Sequence, residues 1–318
     1  MTLGIGLLGT GSIARRAFAR SANAVDEARL VGVLSRDCAR GQTFAQEFDI
    51  PEVYDDLHAL LGNPQIDAVI VATPDAMHES QVIAAAQAGK HILCEKPMTT
   101  TYAGCQRMAE AVRASGVTFA MGYSMRFTTG LQQVAELLQA GRIGQVRYAR
   151  ALWTTQSAGW RTQSDQARYW ALSAVGTHLV DLWLWYFGDP VSVGGGLANP
   201  MHHGPNDEIS ILVFNYPERL LAELAVAALF LGGNRLELYG DEGTIIGDNL
   251  FGYAPEGGTI TCNGAAVPYT PNNAFLAEVR DFVQAIQHGR APRITLEDGI
   301  RNVHIMETAR EGRIQLPL

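Results

Sequence analysis

The stretch LGIGLLGTGSIA, residues 3–14, constrains the fold more than any other part of the chain. An unbroken apolar run, LGIGLLG, leads into Gly9-Thr10-Gly11-Ser12-Ile13-Ala14, and the helical pattern IARRAFARSA follows with Ser12 as its expected cap. A strand that runs through a GxGxxA turn into a helix opens a dinucleotide-binding unit. The first glycine permits the tight turn, and the second lets the backbone approach a pyrophosphate. The small Ala14 allows helix and strand to pack closely. The helix start then offers its N–H groups and the positive end of its dipole to the phosphates. Gly9, Thr10, Gly11, Ser12 and Ile13 are the expected phosphate-side residues.

The apolar runs that follow have the same character. ARLVGVLS (28–35), IDAVIVAT (66–73), KHILCE (90–95) and VTFAMGY (117–123) are continuous rather than alternating, as strands buried on both faces of a parallel sheet are. Helical patterns separate them, opened at Asp75 and Thr99 and closed at Gly89 and Gly116, where a left-handed residue suits a helix end. This alternation predicts a doubly wound, Rossmann-type α/β unit over residues 1–122.

After residue 123 the rhythm changes. A helix is expected over 128–141, then a long strand (145–155) and the apolar helical stretch SAVGTHLVDLWLW (173–185). Strand-like runs ISILVFNY, LLAELAVAALF, RLELYG and TIIGD come next without helices between them, although the composition of LLAELAVAALF also suits a helix. Two helical patterns close the chain. Residues 123–318 therefore read as an α+β domain with an open, mainly antiparallel sheet.

The 318 residues suffice for two domains, and 47% hydrophobic with 18% charged residues is the balance of a water-soluble globular protein. A net charge of −8 argues against nucleic acid or an anionic membrane as the main partner. No apolar run approaches the ~20 residues of a membrane span. The start shows no basic segment of a secretion signal, and a cytoplasmic location is expected. Cys38, Cys94, Cys105 and Cys262 are scattered and read as reduced thiols, and His202-His203 has no further ligand at metal spacing, so no metal is expected.

The end of the second strand bears on the choice of dinucleotide. It reads Val33-Leu34-Ser35-Arg36-Asp37, with Arg40 four residues after Arg36. Ser35 leaves room for a 2′-phosphate, and Arg36 or Arg40 can neutralise it, which favours NADP(H). A shift of one or two residues in register would make Asp37 a ribose ligand, so NAD(H) stays open.

At Glu95-Lys96-Pro97 a buried strand delivers a lysine to the carboxyl edge of the sheet, where such sheets bind ligands. With the GxGxxA turn, the string VATPDAMHESQVIAAAQAGKHILCEKPM closely resembles the Gfo/Idh/MocA oxidoreductases, the glucose-fructose oxidoreductase and inositol dehydrogenase family. The likeness continues through MGYSMRF, GRIG, Trp160-Arg161, GTHLVDL and the closing NAFLAEVRDFVQAIQHGRAPRITLEDG. It implies an NAD(P)-dependent dehydrogenase or reductase acting on a sugar, polyol or related carbonyl compound. Thr73, Pro74 and His78 correspond to residues lining the cofactor, and Glu95 and Lys96 to the pair beneath the nicotinamide. Arg126, Trp160 and Arg161 correspond to residues near the nicotinamide and the site's mouth. Tyr123 joins Lys96, His178 and Asp181 in the substrate site. The second domain's open sheet implies a homo-oligomer, a dimer or tetramer.

The family's usual active-site string is an aspartate, three residues, then a histidine. His178 falls on the histidine, but four residues earlier this chain has Ala174. Residues four apart share a helix face, so the usual carboxylate is missing beside His178. Asp181 is expected to orient His178 or a backbone group. Oxidising a secondary alcohol needs a proton acceptor and a group that stabilises the developing oxyanion. His178, with an ordinary imidazole pKa near ~6.5, suits the first task and Lys96 the second, and the reverse assignment stays open. Ala174 also admits a different class of function, a non-catalytic dinucleotide-binding sensor or scaffold on the same fold.

Overall fold

Leu3–Leu8 forms the first strand (β1), with all of its side chains buried. The computed structural model describes residues 2–156, 170–252 and 257–312. Among these, β1 belongs to a six-stranded sheet with Ala28–Leu34 (β2), Glu52–Tyr54 (β3), Ala68–Val71 (β4), His91–Glu95 (β5) and Phe119–Gly122 (β6). The order is β3-β2-β1-β4-β5-β6 and every pairing is parallel. The expected continuous runs are all strands here. β3 is an addition: its three side chains are each only half-buried, too short and too exposed a run for a hydrophobic pattern.

The helices between the strands are Ala19–Asn23 (α1, continuing a π-helical stretch Ala14–Phe18), Cys38–Glu47 (α2), Leu57–Leu61 (α3), His78–Gln87 (α4) and Tyr102–Ser115 (α5). Gly89 and Gly116 have φ near +70°, the left-handed conformation expected at helix ends. The cap of α5 is Thr101, whose hydroxyl accepts from Gly104 N–H, rather than the expected Thr99.

The chain divides into two compact units, but not at a single cut. One comprises Met1–Ser124 with Phe275–Ile300, the other Met125–Ala274 with Arg301–Leu318. A boundary at 122/123 was expected to leave all later residues in the second domain. The return has a packing cause. Phe275, Val279, Phe282 and Val283, from the helix Ala274–His288, are buried in the same cluster as Ile5, Leu7, Phe18 and Phe44.

Among the described residues the second unit is built on an eight-stranded sheet: Val146–Thr154 (β7), Ser192–Ala198 (β8), Ile209–Asn215 (β9), Leu221–Ala227 (β10), Asn234–Gly240 (β11), Thr244–Asp248 (β12), Thr259–Cys262 (β13) and Ala265–Ala266 (β14). The order β14-β13-β12-β11-β7-β10-β9-β8 is open, and only the β10–β7 pair is parallel. The ambiguous LLAELAVAALF is a strand. Its buried residues Ala222, Leu224 and Val226 alternate, and it pairs with β7 on one side and β9 on the other. The remaining α-helices among the described residues are Thr129–Gln139 (α6), Thr177–Phe187 (α7, continuing a π-helical stretch Leu172–Gly176), Ala274–His288 (α8) and Leu296–Glu311 (α9). No described helix is long and apolar enough to cross a membrane.

Candidate functional site

The strand order of the first sheet reverses between β1 and β4, and open α/β sheets bind ligands at the carboxyl ends of such strands. The turns after β1, β2, β4 and β5 all carry residues singled out by sequence.

Gly9 follows β1 with φ 109°, a backbone conformation that favours glycine. A Cβ there would stand 2.8 Å from the Ala72 carbonyl oxygen, so the turn lies tight against the end of β4. Gly11 is a glycine for another reason. Apart from its chain neighbours, no protein atom lies within 4 Å of the place its Cβ would occupy, and its φ is outside the left-handed region. Nothing within the protein excludes a side chain at Gly11, and the vacant space suits an approaching diphosphate. The helix begins at Ser12, and Arg15 N–H donates to the Gly11 carbonyl at 3.0 Å. Ser12 therefore sits in the first turn rather than at the cap, and both Gly11 and Ser12 are exposed. Thr10 and Ile13 are half-buried.

At the end of β2, Ser35 is buried and its hydroxyl donates to the Asp37 carbonyl at 2.8 Å. Its Oγ also lies 3.5 Å from Thr10 Oγ1, joining the β2 turn to the glycine turn. The Asp37 carboxylate accepts from Arg40 N–H at 3.0 Å and caps α2. The side chains of Arg36 and Arg40 are exposed. The segment thus presents two guanidinium groups outward while its carboxylate serves the helix.

After β4, Thr73 is half-buried and Pro74 exposed. The Thr73 hydroxyl donates to Gln81 Oε1 at 2.6 Å. His78, the first residue of α4, is 1% exposed, with Nδ1 2.9 Å from the Pro97 carbonyl oxygen and Nε2 2.9 Å from the Thr73 carbonyl oxygen. Burial pushes its pKa below the ordinary imidazole value, against the pull of the carbonyls and of Asp75. The ring expected to line the cofactor is thus bonded to backbone on both sides.

At the end of β5, Glu95 is buried and Lys96 half-buried. Glu95 Oε2 accepts from the Lys96 N–H at 2.7 Å. Burial raises the Glu95 carboxyl to about 7, and the neighbouring Lys96 charge and amide hold it from going higher. Tyr123, just past β6, is fully buried.

In the second unit the helix bearing His178 begins with its π-helical stretch, a feature often found at functional sites. Asp207 holds its start. One carboxylate oxygen accepts from Trp170 N–H at 2.9 Å, and the other from Leu172 N–H at 2.8 Å and the Ser210 hydroxyl at 2.6 Å. Burial raises the Asp207 pKa, and these hydrogen bonds oppose the rise. From Trp170 to Leu184 every residue is buried except Ala174. His178 lies against Trp153, with ring centroids 5.8 Å apart. Asp181 accepts from Arg126 Nε at 2.8 Å and Arg126 Nη2 at 2.6 Å, a buried bidentate pair. The two residues expected beside His178 and the nicotinamide are therefore bonded to each other. Trp160 and Arg161 lie outside the described residues. Among the described residues there is no group of three or more His, Cys, Asp and Glu side chains that could hold a metal ion.

Asp207 and Gln81 escaped the sequence reading. Asp207 sits in the polar run PNDEIS before β9 and looks like loop, and Gln81 reads as an ordinary helix residue. A carboxylate two residues before an apolar strand was the available signal for the first.

Residues 3–123 match the family model described as the oxidoreductase family with an NAD-binding Rossmann fold, and residues 131–246 match the GFO/IDH/MocA C-terminal domain. A 1,5-anhydro-D-fructose reductase of Ensifer adhaerens is 27% identical over 310 residues, covering 93% of this chain and 91% of that protein. A scyllo-inositol 2-dehydrogenase (NADP(+)) of Bacillus subtilis is 24% identical over 341 aligned positions, covering 98% of this chain and 94% of that protein. Among solved structures, an aldose-aldose oxidoreductase from Caulobacter crescentus complexed with glycerol superposes with a TM-score of 0.90 at 26% identity, covering 99% of this chain and 100% of that one. With both halves matched in order, the chain belongs to the GFO/IDH/MocA family of oxidoreductases.

Proposed function

We propose that the protein transfers a hydride between a nicotinamide dinucleotide, NADP(H) in preference to NAD(H), and a sugar, polyol or related carbonyl compound. The space at Gly11 carries the reading: a glycine held at a helix start with no protein atom beyond its chain neighbours within 4 Å of its missing Cβ fits a diphosphate. The dinucleotide, when bound, supplies the hydride acceptor or donor. The chain's own residues do the rest. Gly9 to Ile13 and the first helical N–H groups hold the diphosphate. Arg36 and Arg40 neutralise a 2′-phosphate, and Ser35 shapes the turn between them and Thr10. Thr73, Pro74 and Glu95 border the nicotinamide side. The Lys96 ammonium holds the reacting oxygen and stabilises its negative charge, while His178 takes up or returns the proton. The substrate class comes from the relatives, which are named for anhydrofructose, inositol and aldoses.

The same reading includes a homo-oligomer formed through the outer face of the second unit's sheet. Ile211 and Leu221 are exposed large apolar residues on β9 and β10, beside the ion pairs of Arg150 with Glu223 and Glu237.

The test is titration of the purified protein with NADPH and NADH, followed by tryptophan quenching and by oxidation and reduction assays on a panel of aldoses and inositols. Tight NADPH and weak NADH binding is expected. Equal binding overturns the 2′-phosphate assignment, and binding of neither overturns the oxidoreductase reading for this chain.

One observation favours a second reading, a dinucleotide-binding sensor: Ala174, half-buried on the π-helical stretch that leads into the His178 helix, presents only a methyl group. Lys96→Met decides between them. Loss of turnover by about 10²–10⁴-fold supports the enzyme, and a change confined to affinity supports the sensor.

A further inference from the structure

His78 holds two turns of the first unit at once. Its ring is 1% exposed, and each nitrogen lies 2.9 Å from a backbone carbonyl oxygen, Nδ1 from that of Pro97 and Nε2 from that of Thr73. Carbonyls only accept, so the neutral ring that burial favours donates to one of the two carbonyls at a time, and the ring makes both bonds together only when it carries both protons. One helical turn further, Gln81 is 2% exposed and accepts the Thr73 hydroxyl at 2.6 Å. The two tethered segments have different duties. The segment around Thr73 backs the glycine turn: the position of a Gly9 Cβ is 2.8 Å from the Ala72 oxygen and 3.3 Å from Thr73 Cγ2. The Pro97 carbonyl belongs to the residue that follows Lys96.

We infer that His78 is a positioning residue that fixes the Lys96 loop relative to the dinucleotide-side turn at Thr73, its Nδ1 side governing turnover and its Nε2 side governing dinucleotide affinity. This rests on the function proposed above, in which Lys96 meets the reacting oxygen and the Gly9 turn meets the diphosphate. With its ring 1% exposed and both nitrogens facing backbone carbonyls, His78 acts through the segments it tethers. Its contribution is that the primary amine is presented from a loop that cannot drift from the turn beside it. Misplacement by about 1 Å at a reacting group costs about 10²-fold in rate, whereas one hydrogen bond of the neutral kind changes an equilibrium by about two- to twelvefold.

Asparagine and glutamine separate the two sides of the ring. An asparagine amide nitrogen stands near the place of Nδ1 and keeps the bond to Pro97. A glutamine amide nitrogen reaches the place of Nε2 and keeps the bond to Thr73. The experiment compares wild type, His78→Asn and His78→Gln for NADPH affinity, for kcat on the aldose or inositol that wild type turns over, and for Tm. The expected order is opposite in the two readouts. His78→Gln loses more kcat, by about tenfold or more, and His78→Asn loses more NADPH affinity, by about two- to twelvefold. Gln81→Leu, which releases only the Thr73 hydroxyl, shifts in the same direction as His78→Asn. If both substitutions at His78 lower Tm and move kcat and affinity in the same order, His78 is merely structural and the inference is overturned. Should the histidine variants fail to fold, Gln81→Leu carries the test, and a loss of kcat without a loss of affinity overturns it. Amide hydrogen exchange distinguishes this failure from that of the proposed function. If wild type binds neither dinucleotide, the strap is judged by faster exchange near Lys96 in His78→Gln and near Thr73 in His78→Asn. The absence of both changes overturns it.

Discussion

Among the described residues, two helices carry a π-helical stretch near their start, Ala14–Phe18 and Leu172–Gly176, and they differ in what meets their first N–H groups. Ahead of the first lies Gly11, with no protein atom beyond its chain neighbours within 4 Å of its missing Cβ. At the second, the Asp207 carboxylate accepts from Trp170 and Leu172, and the Asp207 carbonyl accepts from Ala171. An unsatisfied helix start attracts anions; the chain supplies its own anion to the second, and under the proposed function the first is where the diphosphate binds. The second helix is instead a fixed support: Asp207 at its head, Thr177 paired with Asn302, and Asp181 bound to Arg126 hold the segment that carries His178. In the proposed function the same backbone device receives a diphosphate in one unit, while in the other it is held by the chain's own Asp207.

That contrast yields crossed predictions. The largest effect is expected from Asp181→Ala, which leaves the Arg126 guanidinium buried without its carboxylate. Removing one partner of a buried pair costs about 3–5 kcal/mol, read from urea unfolding, while NADPH affinity falls far less than when the diphosphate turn itself is altered. Gly11→Val does the reverse. Losing two charge-assisted bonds to a diphosphate, at about 1.5–3 kcal/mol each, weakens NADPH binding about 10²-fold or more in a fluorescence titration, with the unfolding midpoint little changed. Asp207→Ala removes a helix cap and leaves buried N–H groups unpaired, for a loss of about 2 kcal/mol in stability. If Asp207→Ala weakened NADPH binding as Gly11→Val does, the division of labour between the two helix starts would be wrong.

Much of the first unit was legible because its strands are buried on both faces. β1, β4 and β6 read as unbroken apolar runs for that reason. Strands without such burial were lost: β3 is three half-buried residues, and β8 is the edge strand SVGGGLA, whose glycines give no alternation. The return of α8 to the first core has no local signature, since an amphipathic helix does not say which sheet it covers. In the site, motif spacing marked the glycine turn, Lys96 and His178. Their supports were hidden because they are remote or are backbone. Asp207 meets a helix 35 residues earlier in the chain, and the acceptors of His78 are carbonyls, which every residue possesses. Asp181 was read as a partner of His178, and only three-dimensional pairing links it to Arg126.

The smallest effect sharpens the comparison between the two buried carboxylates, since Asp207 is compensated by three donors outside its own residue and Glu95 by the Lys96 amide and charge. The Glu95 carboxyl is raised from its ordinary 4.5 to about 7, with burial as the main cause. A carboxyl raised in the folded protein holds its proton more tightly there than in the unfolded chain. Its contribution to stability is therefore complete below about pH 4.5 and is lost as pH rises through about 7. With those two values, most of the loss lies below pH 6, and about 1 kcal/mol remains to be lost between about pH 6 and 8. Glu95→Gln keeps the buried, uncharged form at every pH. Urea midpoints of wild type and Glu95→Gln are expected to diverge as pH rises from about 6 to 8, with wild type falling. Parallel curves would mean that Glu95 is already ionised at about pH 6, and that the Lys96 amide and ammonium compensate it as fully as three donors compensate Asp207.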